Sequence, residues 1–233
     1  MQPLFEDYYL LAVNKPAGLS SENGDQRHPS AERDALFYLT QQLNEKSTST
    51  RLKVTPFLRT VHRLDRPVSG VLLMAKTKMA MLDLMQQFEA RTAEKIYFAV
   101  TARRPEADSG VLQDWLSKDE TSRKAQLFKN EKKNRQFAEL SYRVIKPIGQ
   151  GALLEIRPKT GRFHQIRAQL AQMGCPIVGD TLYGGPAWLE HQIKLHAASL
   201  QFTHPKSKES MLIEAPLPES WGLGEEGQLV RQF

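Results

Sequence analysis

A single cysteine, Cys175, stands in a chain of 233 residues, which excludes an internal disulfide and fits a reducing compartment. It precedes Pro176 in an otherwise apolar setting and reads as a buried structural thiol, not a nucleophile. No apolar run approaches the ~20 residues of a membrane helix. The start, M-Q-P-L-F-E-D-Y-Y, has neither the basic residues nor the apolar core of a signal peptide. G-x-x-x-x-G-K-[ST] and G-x-G-x-x-G are both absent, so the chain carries no nucleotide-cofactor signature. His62, His164 and His196 lack the spacing and the acidic company of a zinc site, and no metal is expected. Neither an internal repeat nor a composition break divides the sequence. The expectation is a soluble, cytoplasmic chain without membrane or metal, folding as one domain over residues 1–233.

What is present is ordinary in amount and basic in balance. Apolar residues make up 40% and charged residues 25%, as in a globular protein with a substantial core. The excess of 32 Lys+Arg over 26 Asp+Glu leaves +6, which suits an anionic partner such as nucleic acid without requiring one.

The most informative stretch is V-H-R-L-D-R-P-V-S-G-V-L-L-M-A, residues 61–75. Asp65 lies between Arg63 and Arg66, Pro67 and Ser69-Gly70 mark a turn, and Val71–Ala75 reads as a buried strand. Neighbouring guanidinium groups favour an ionised carboxylate, which suits a nucleophile or base and not a general acid. Taken alone, the same residues read as an Arg–Asp ion pair at a strand entrance.

Around it the pattern predicts further elements. Tyr8–Val13 reads as a strand closed by the turn Asn14–Gly18, where Lys15 is expected to face solvent. A polar loop over Ser20–Pro29 precedes a helix near Ala31–Leu43, and Asn44–Thr55 reads as the flexible loop of the first half. Thr77 can cap a helix with Met81, Leu84, Met85 and Phe88 on its apolar face, the methionines serving as core filling. Lys95–Val100 alternates, with Ile96, Phe98 and Val100 on one face and Lys95, Tyr97 and Ala99 on the other. Lys118–Arg135 holds seven basic residues against three acids and reads either as a solvated hairpin or as an arm against RNA phosphate. Strands are expected at Phe137–Ile145 and Ala152–Ile156. In 158–174 a turn with Lys159 and Arg162 leads into a helix. His164 and Arg167 are i, i+3 neighbours there, Ile166, Leu170 and Met173 are buried, and Gly174 ends it. G-D-T-L-Y-G-G (179–185) is a loop, and a last strand runs from Leu195 to Phe202.

Taken in order, V-N-K-P-A-G-L (13–19), H-R-L-D-R-P-V-S-G (62–70), K-I-Y (95–97), K-T-G-R-F-H-Q-I-R (159–167), G-D-T-L-Y-G (179–184), L-H-A (195–197) and F-T-H-P (202–205) cover nearly the whole chain. In this set and order the sequence resembles the RluA family of RNA pseudouridine synthases. The resemblance implies isomerisation of uridine to pseudouridine in structured RNA, ribosomal or transfer, by a monomer needing neither metal nor cofactor. Asp65 matches the catalytic aspartate. Tyr97 matches the tyrosine that stacks on the target uracil and assists proton removal, and Arg167 the arginine that pairs with the carboxylate. Arg63 matches an arginine that accommodates the flipped nucleotide, and His62, Lys95, Arg162, His164 and Ile166 fall at further substrate-binding positions. The implied fold is α+β, a mixed, largely antiparallel sheet in two subdomains flanked by helices, with a central cleft. The implied organisation is a catalytic domain without a separate N-terminal RNA-binding domain. Val68 departs from the threonine of many relatives, and Arg66-Pro67 also differ. These changes blur the subfamily and leave Asp65, Ser69 and Gly70 in place.

The chemistry suits these residues. The reaction breaks an N–C glycosidic bond and rejoins the base through carbon, with loss of the C5 proton. A carboxylate can attack C1′ or C6, or remove a ribose proton. A stacked uridine must first be flipped out, at a few kcal/mol. Stacking on Tyr97 can return roughly 1–3 kcal/mol. Two other classes fit the charge: a module that binds structured RNA without chemistry, and a metal-free RNA-cleaving enzyme with His62 as base beside Asp65.

Overall fold

The computed structural model describes residues 3–22, 29–46 and 55–223. Parts of the two expected loops, 23–28 and 47–54, lie outside the described residues. The chain divides into two compact units, one of Met1–Ala93 with Leu200–Ala215, the other of Glu94–Ser199 with Pro216–Phe233. The fold is α+β, with a mixed sheet and few helices.

The first unit holds strands β1 (Pro3–Glu6) and β2 (Leu10–Lys15), helix α1 (Ala31–Lys46), strands β3 (Arg59–Thr60) and β4 (Ser69–Ala75), and helix α2 (Lys78–Ala90). Strand β2 runs antiparallel between β1 and β4, with Val13 opposite Leu72 and Lys15 opposite Gly70. All seven residues of β4 are buried, because both faces of β2 and β4 are covered. Leu10, Ala12, Val71 and Leu73 pack with Ala80 and Leu84 of α2. Leu11, Val13, Leu72 and Met74 pack with Ala31, Ala35 and Leu39 of α1. A strand covered on both sides reads as an unbroken apolar run, which is why 71–75 stood out.

Helix α1 continues to Lys46, so Asn44–Lys46 is helical where a loop was expected. Thr77 caps α2 as the sequence predicts, its Oγ1 accepting from the Ala80 N–H at 3.2 Å. Met81 packs against the core, but Met85 is 51% exposed, a correction to its expected core role. Leu84 and Ala80 carry the buried stripe, and Met85 turns outward.

The second unit contains β5 (Glu94–Thr101), β6 (Ser109–Asp119), β7 (Lys124–Phe128), β8 (Gln136–Ile148), β9 (Gly151–Pro158), helix α3 (Gln165–Gln172) and a 3₁₀ turn at Thr181–Tyr183. Its strands follow the order β5-β9-β8-β6-β7, each pair antiparallel. One face of β6, β7 and β8 receives α3, with Ala168 packed among Leu116, Ala125 and Ala138. On the strand face opposite Tyr97, Phe98 and Val100 join Leu153, Ala198, Leu217 and Trp221. Strand β10 (Leu195–Thr203) starts in this unit and ends in the first, where β11 (Ser210–Glu214) pairs with it.

Candidate active site

In the first unit, Asp65 lies at the turn into β4, half-buried, with its carbonyl accepting from the Val68 N–H at 3.0 Å. Both neighbours of Asp65 are tied to the segment 18–21. Ser21 Oγ donates to the Leu64 carbonyl at 2.8 Å and accepts from the Leu64 N–H at 3.0 Å. The Gly18 N–H donates to the Arg66 carbonyl at 2.8 Å, and Arg66 Nε returns a bond to the Gly18 carbonyl at 2.9 Å. Two reciprocal clamps therefore fix the backbone on either side of the carboxylate, the kind of preorganisation a reacting group requires.

The structure redistributes the cations expected around Asp65. Arg66 spends its Nε on Gly18, and Arg63, with its side chain 75% exposed, reaches Glu22 at 3.9 Å. A cation coupled to the Asp65 charge is Lys15, which the sequence reading placed in solvent. Lys15 is fully buried, and its Nζ donates to the carbonyls of Pro16, Leu19 and Arg66 at 3.0, 2.7 and 3.4 Å. The carbonyls of Pro16, Leu19 and Arg66 close over the end of β2, so the side chain is enclosed. Burial pushes Lys15 down to about 7, and the negative charge of Asp65 works against that shift.

His62 is engaged in the framework. Its Nε2 accepts from the Leu73 N–H at 3.0 Å and its ring stacks on Phe88 at 5.0 Å. An accepting Nε2 puts the ring proton of the neutral imidazole on Nδ1.

The second unit carries the other candidate residues. Tyr97 is half-buried on β5, paired in register with Ile156, which in turn pairs with Tyr142. Lys95, two residues earlier, has its pKa lowered by burial. A side chain begun at Gly161 would come within 3.5 Å of the Lys95 Nζ, so the K-T-G-R turn lies beside it.

That turn is fastened to β8. Thr160 Oγ1 accepts from the Glu139 N–H at 2.9 Å and donates to Gln165 Oε1 at 2.7 Å. Gln165 Oε1 also accepts from the Arg162 N–H at 3.0 Å, and Arg162 Nε donates to the Phe137 carbonyl at 3.0 Å. His164 precedes α3 in the left-handed region at φ 52° instead of lying within the helix. Its ring stacks on Phe163, and its Nδ1 is 3.0 Å from the Tyr183 hydroxyl. That hydroxyl also accepts from the Ala125 N–H at 2.7 Å.

Arg167 and Ile166 are both buried in the first turn of α3. Arg167 forms a two-pronged pair with Asp180, Nε to Oδ2 at 2.7 Å and Nη2 to Oδ1 at 2.8 Å. Its guanidinium lies 5.2 Å from the Tyr183 ring centre. Asp180 and Tyr183 received no role from the sequence reading, although G-D-T-L-Y-G was noted; its density of polar and aromatic residues between glycines was the available signal. Gly179 sets Asp180 in place at φ +90°, where a Cβ would sit 2.5 Å from the Gln192 carbonyl.

The sequence profile described as RNA pseudouridylate synthase matches residues 9–172. A ribosomal large subunit pseudouridine synthase C of Vibrio cholerae is 34% identical over 221 residues, covering 92% of this chain and 65% of that protein. A tRNA pseudouridine synthase C of the same organism is 32% identical over 240 residues, covering 95% of this chain and 93% of its own length. The dual-specificity RNA pseudouridine synthase RluA of Vibrio vulnificus is 36% identical over 209 residues, covering 88% and 78%. Among solved structures, human RNA pseudouridylate synthase domain containing 4 superposes with a TM-score of 0.74 at 25% identity, over 94% of this chain and 90% of that one. Human RNA pseudouridylate synthase domain containing 1, at 20% identity and a TM-score of 0.68, shares the fold over 92% and 82%.

Proposed function

The chain belongs to the RNA pseudouridylate synthase family, within its RluA branch, and from that premise we propose how its residues divide the isomerisation of uridine in RNA. Asp65 is the anionic group that opens the glycosidic bond. The observation that carries this assignment is the double clamp on Leu64 and Arg66, which spends four hydrogen bonds on holding one exposed-edge turn. Tyr97 stacks on the target uracil, and its hydroxyl assists removal of the C5 proton. Arg167, with its plane fixed by Asp180, uses the remaining guanidinium hydrogens to keep the catalytic carboxylate ionised. Arg63 grips the flipped nucleotide, with Lys95 and Arg162 meeting its phosphates and His62, His164 and Ile166 shaping the pocket.

The two units act together as one catalytic domain, working as a cytoplasmic monomer on structured RNA. Ribosomal and transfer RNA are the substrate classes in the names of the similar enzymes. The RNA-cleaving alternative loses support at His62, since its Nε2 lone pair is already taken by the Leu73 N–H.

The test is incubation of the protein with uridine-labelled ribosomal and transfer RNA, followed by nucleoside analysis. Pseudouridine at discrete positions is expected. RNA fragments would point to cleavage, and intact unmodified RNA that stays bound would point to a binding module.

A further inference from the structure

Residues 179–185 fold into a turn that offers Arg167 two different kinds of contact. The Asp180 carbonyl accepts from the N–H groups of Tyr183 and Gly185, at 3.0 and 2.9 Å. A side chain begun at Gly185 would meet the Ile177 carbonyl at 2.0 Å, so the turn closes tightly against the chain that enters it. Asp180 and Tyr183 are thereby held at a fixed spacing, and both side chains reach the start of α3. The Asp180 carboxylate takes one edge of the Arg167 guanidinium, through Nε and Nη2. The Tyr183 ring meets the same group from another side, with the guanidinium carbon over the ring at 5.2 Å from its centre. Two bonds along one edge leave a planar fork free to tilt about that edge. An aromatic face against the fork restrains the tilt and attracts its charge.

The ring is itself fixed from several directions. Its hydroxyl accepts from the Ala125 N–H at 2.7 Å and lies 3.0 Å from His164 Nδ1. Strand β7 is the last in the strand order of this unit, so the hydroxyl serves an edge N–H of the sheet. The body of the ring packs against the cluster of Leu116, Ala125, Ala138 and Ala168. It also meets the His164 ring edge to face at 5.7 Å. Closing the edge of β7 needs the phenol oxygen alone. The place of the ring against the guanidinium is a separate contact, and a rigid one because the oxygen is tied down.

We propose that Tyr183 is a positioning residue of the isomerisation, its ring setting the plane of Arg167 while its hydroxyl anchors the ring to β7. The proposal rests on the proposed function for the task of that plane, which is to aim the remaining guanidinium hydrogens at the catalytic carboxylate. In this role Tyr183 acts through Arg167 and takes no part in breaking or making bonds.

The experiment compares Tyr183→Phe with Tyr183→Met in the full chain. Both lose the hydroxyl, and with it the contacts to Ala125 and His164, and both keep bulk in the site. Only phenylalanine keeps an aromatic face, so the difference between the two reads the ring alone. At saturating RNA, single-turnover pseudouridine formation should fall about two- to threefold in Tyr183→Phe and about a further tenfold in Tyr183→Met. An Arg167→Lys background has an ammonium with no plane to set, and there the two exchanges should give rates equal within about twofold. With isotope-labelled arginine, the Arg167 Nε–Hε signal is assigned by its loss in Arg167→Lys. It should show Overhauser contacts to the Tyr183 ring protons in the wild type, stay sharp in Tyr183→Phe and broaden in Tyr183→Met. The proposal is overturned by equal rates for the two variants in the otherwise wild-type chain, or by the same rate ratio persisting beside Arg167→Lys. It is also overturned by an Arg167 signal without ring contact, a result that needs no variant to fold. Wild-type turnover in Arg167→Lys alone would count against the proposed function of Arg167 only, because the signal reads the contact without any turnover.

Discussion

Exchanging Asp65 for asparagine replaces one carboxylate oxygen with an amide nitrogen and leaves both backbone clamps untouched. The Asp65→Asn variant should therefore melt and bind RNA like the wild type while pseudouridine formation falls by about a thousandfold or more, measured by single turnover. At Tyr97, ring and hydroxyl can be separated. Tyr97→Phe keeps the stacking surface and should bind normally yet stall after the new carbon–carbon bond forms, whereas Tyr97→Ala should lose roughly 1–3 kcal/mol of binding as well. A fully active phenylalanine variant would leave stacking as the sole role. The places of Asp65 and Tyr97 in the fold were legible because one precedes the apolar run of β4 and the other sits on an alternating strand. The charge partners were less legible. Arg63 and Arg66 flank Asp65 in sequence, but the Arg66 Nε is committed to Gly18, and Lys15, fifty positions away, adds a coupled charge. No periodicity reports which lysine a turn will enclose.

At the scale of elements, α3 and the turn after it behave as one device. Asp180 holds Arg167 by two bonds with both side chains nearly inaccessible, at 5% and 1% exposure. Asp180→Asn removes the counter-charge that holds a buried cation by two bonds and should cost about 3–5 kcal/mol of stability in denaturant titration. Arg167→Lys keeps the charge but loses the planar fork, and product formation should be severely impaired. The hairpin of β6 and β7 gives the basic stretch a definite form. Neutralising Arg123, Lys124, Lys132 and Lys133 should flatten the salt dependence of RNA binding by about one unit of slope per lost phosphate contact, with little change in saturating single-turnover rate. An unchanged slope would leave the hairpin a solvated one. Strands β4, β5, β8 and β9 were visible in the sequence because burial gives them runs or alternation. The exact start of α3 was not, because His164 leaves the helix through a left-handed turn set by Tyr183 and Phe163, contacts distant in sequence or independent of period.

For the whole molecule, the enclosed ammonium of Lys15 links stability to pH. Its folded pKa of about 7 lies below the ordinary value of 10.5, so between them the unfolded chain binds the additional proton. Stability should rise as pH increases from about 7 to about 8.5; below about 7 both states carry the proton and the cost of burial is constant. Lys95 and Lys194 shift in the same direction. Cys175 and Tyr142, whose pKa values burial raises, oppose the trend only at higher pH. Chemical denaturation at several pH values checks this, and a flat or falling profile in that window would mean the carbonyl cage keeps Lys15 charged. The order of strands in each unit was not legible, since pairing among distant segments leaves no local signature.

The first unit is written in the gene as two separated passages, residues 1–93 and 200–215. Leu200, Phe202, Ile213 and Ala215 complete the cluster around Leu10, Val71 and Leu84. During synthesis, everything that forms the Asp65 turn therefore leaves the ribosome long before the last wall of its core exists. The second unit's strands β5 to β9 lie in one stretch and can pair first. Each unit thus waits for the end of the chain, the first for residues 200–215 and the second for Leu217 and Trp221, which complete the cluster around Phe98.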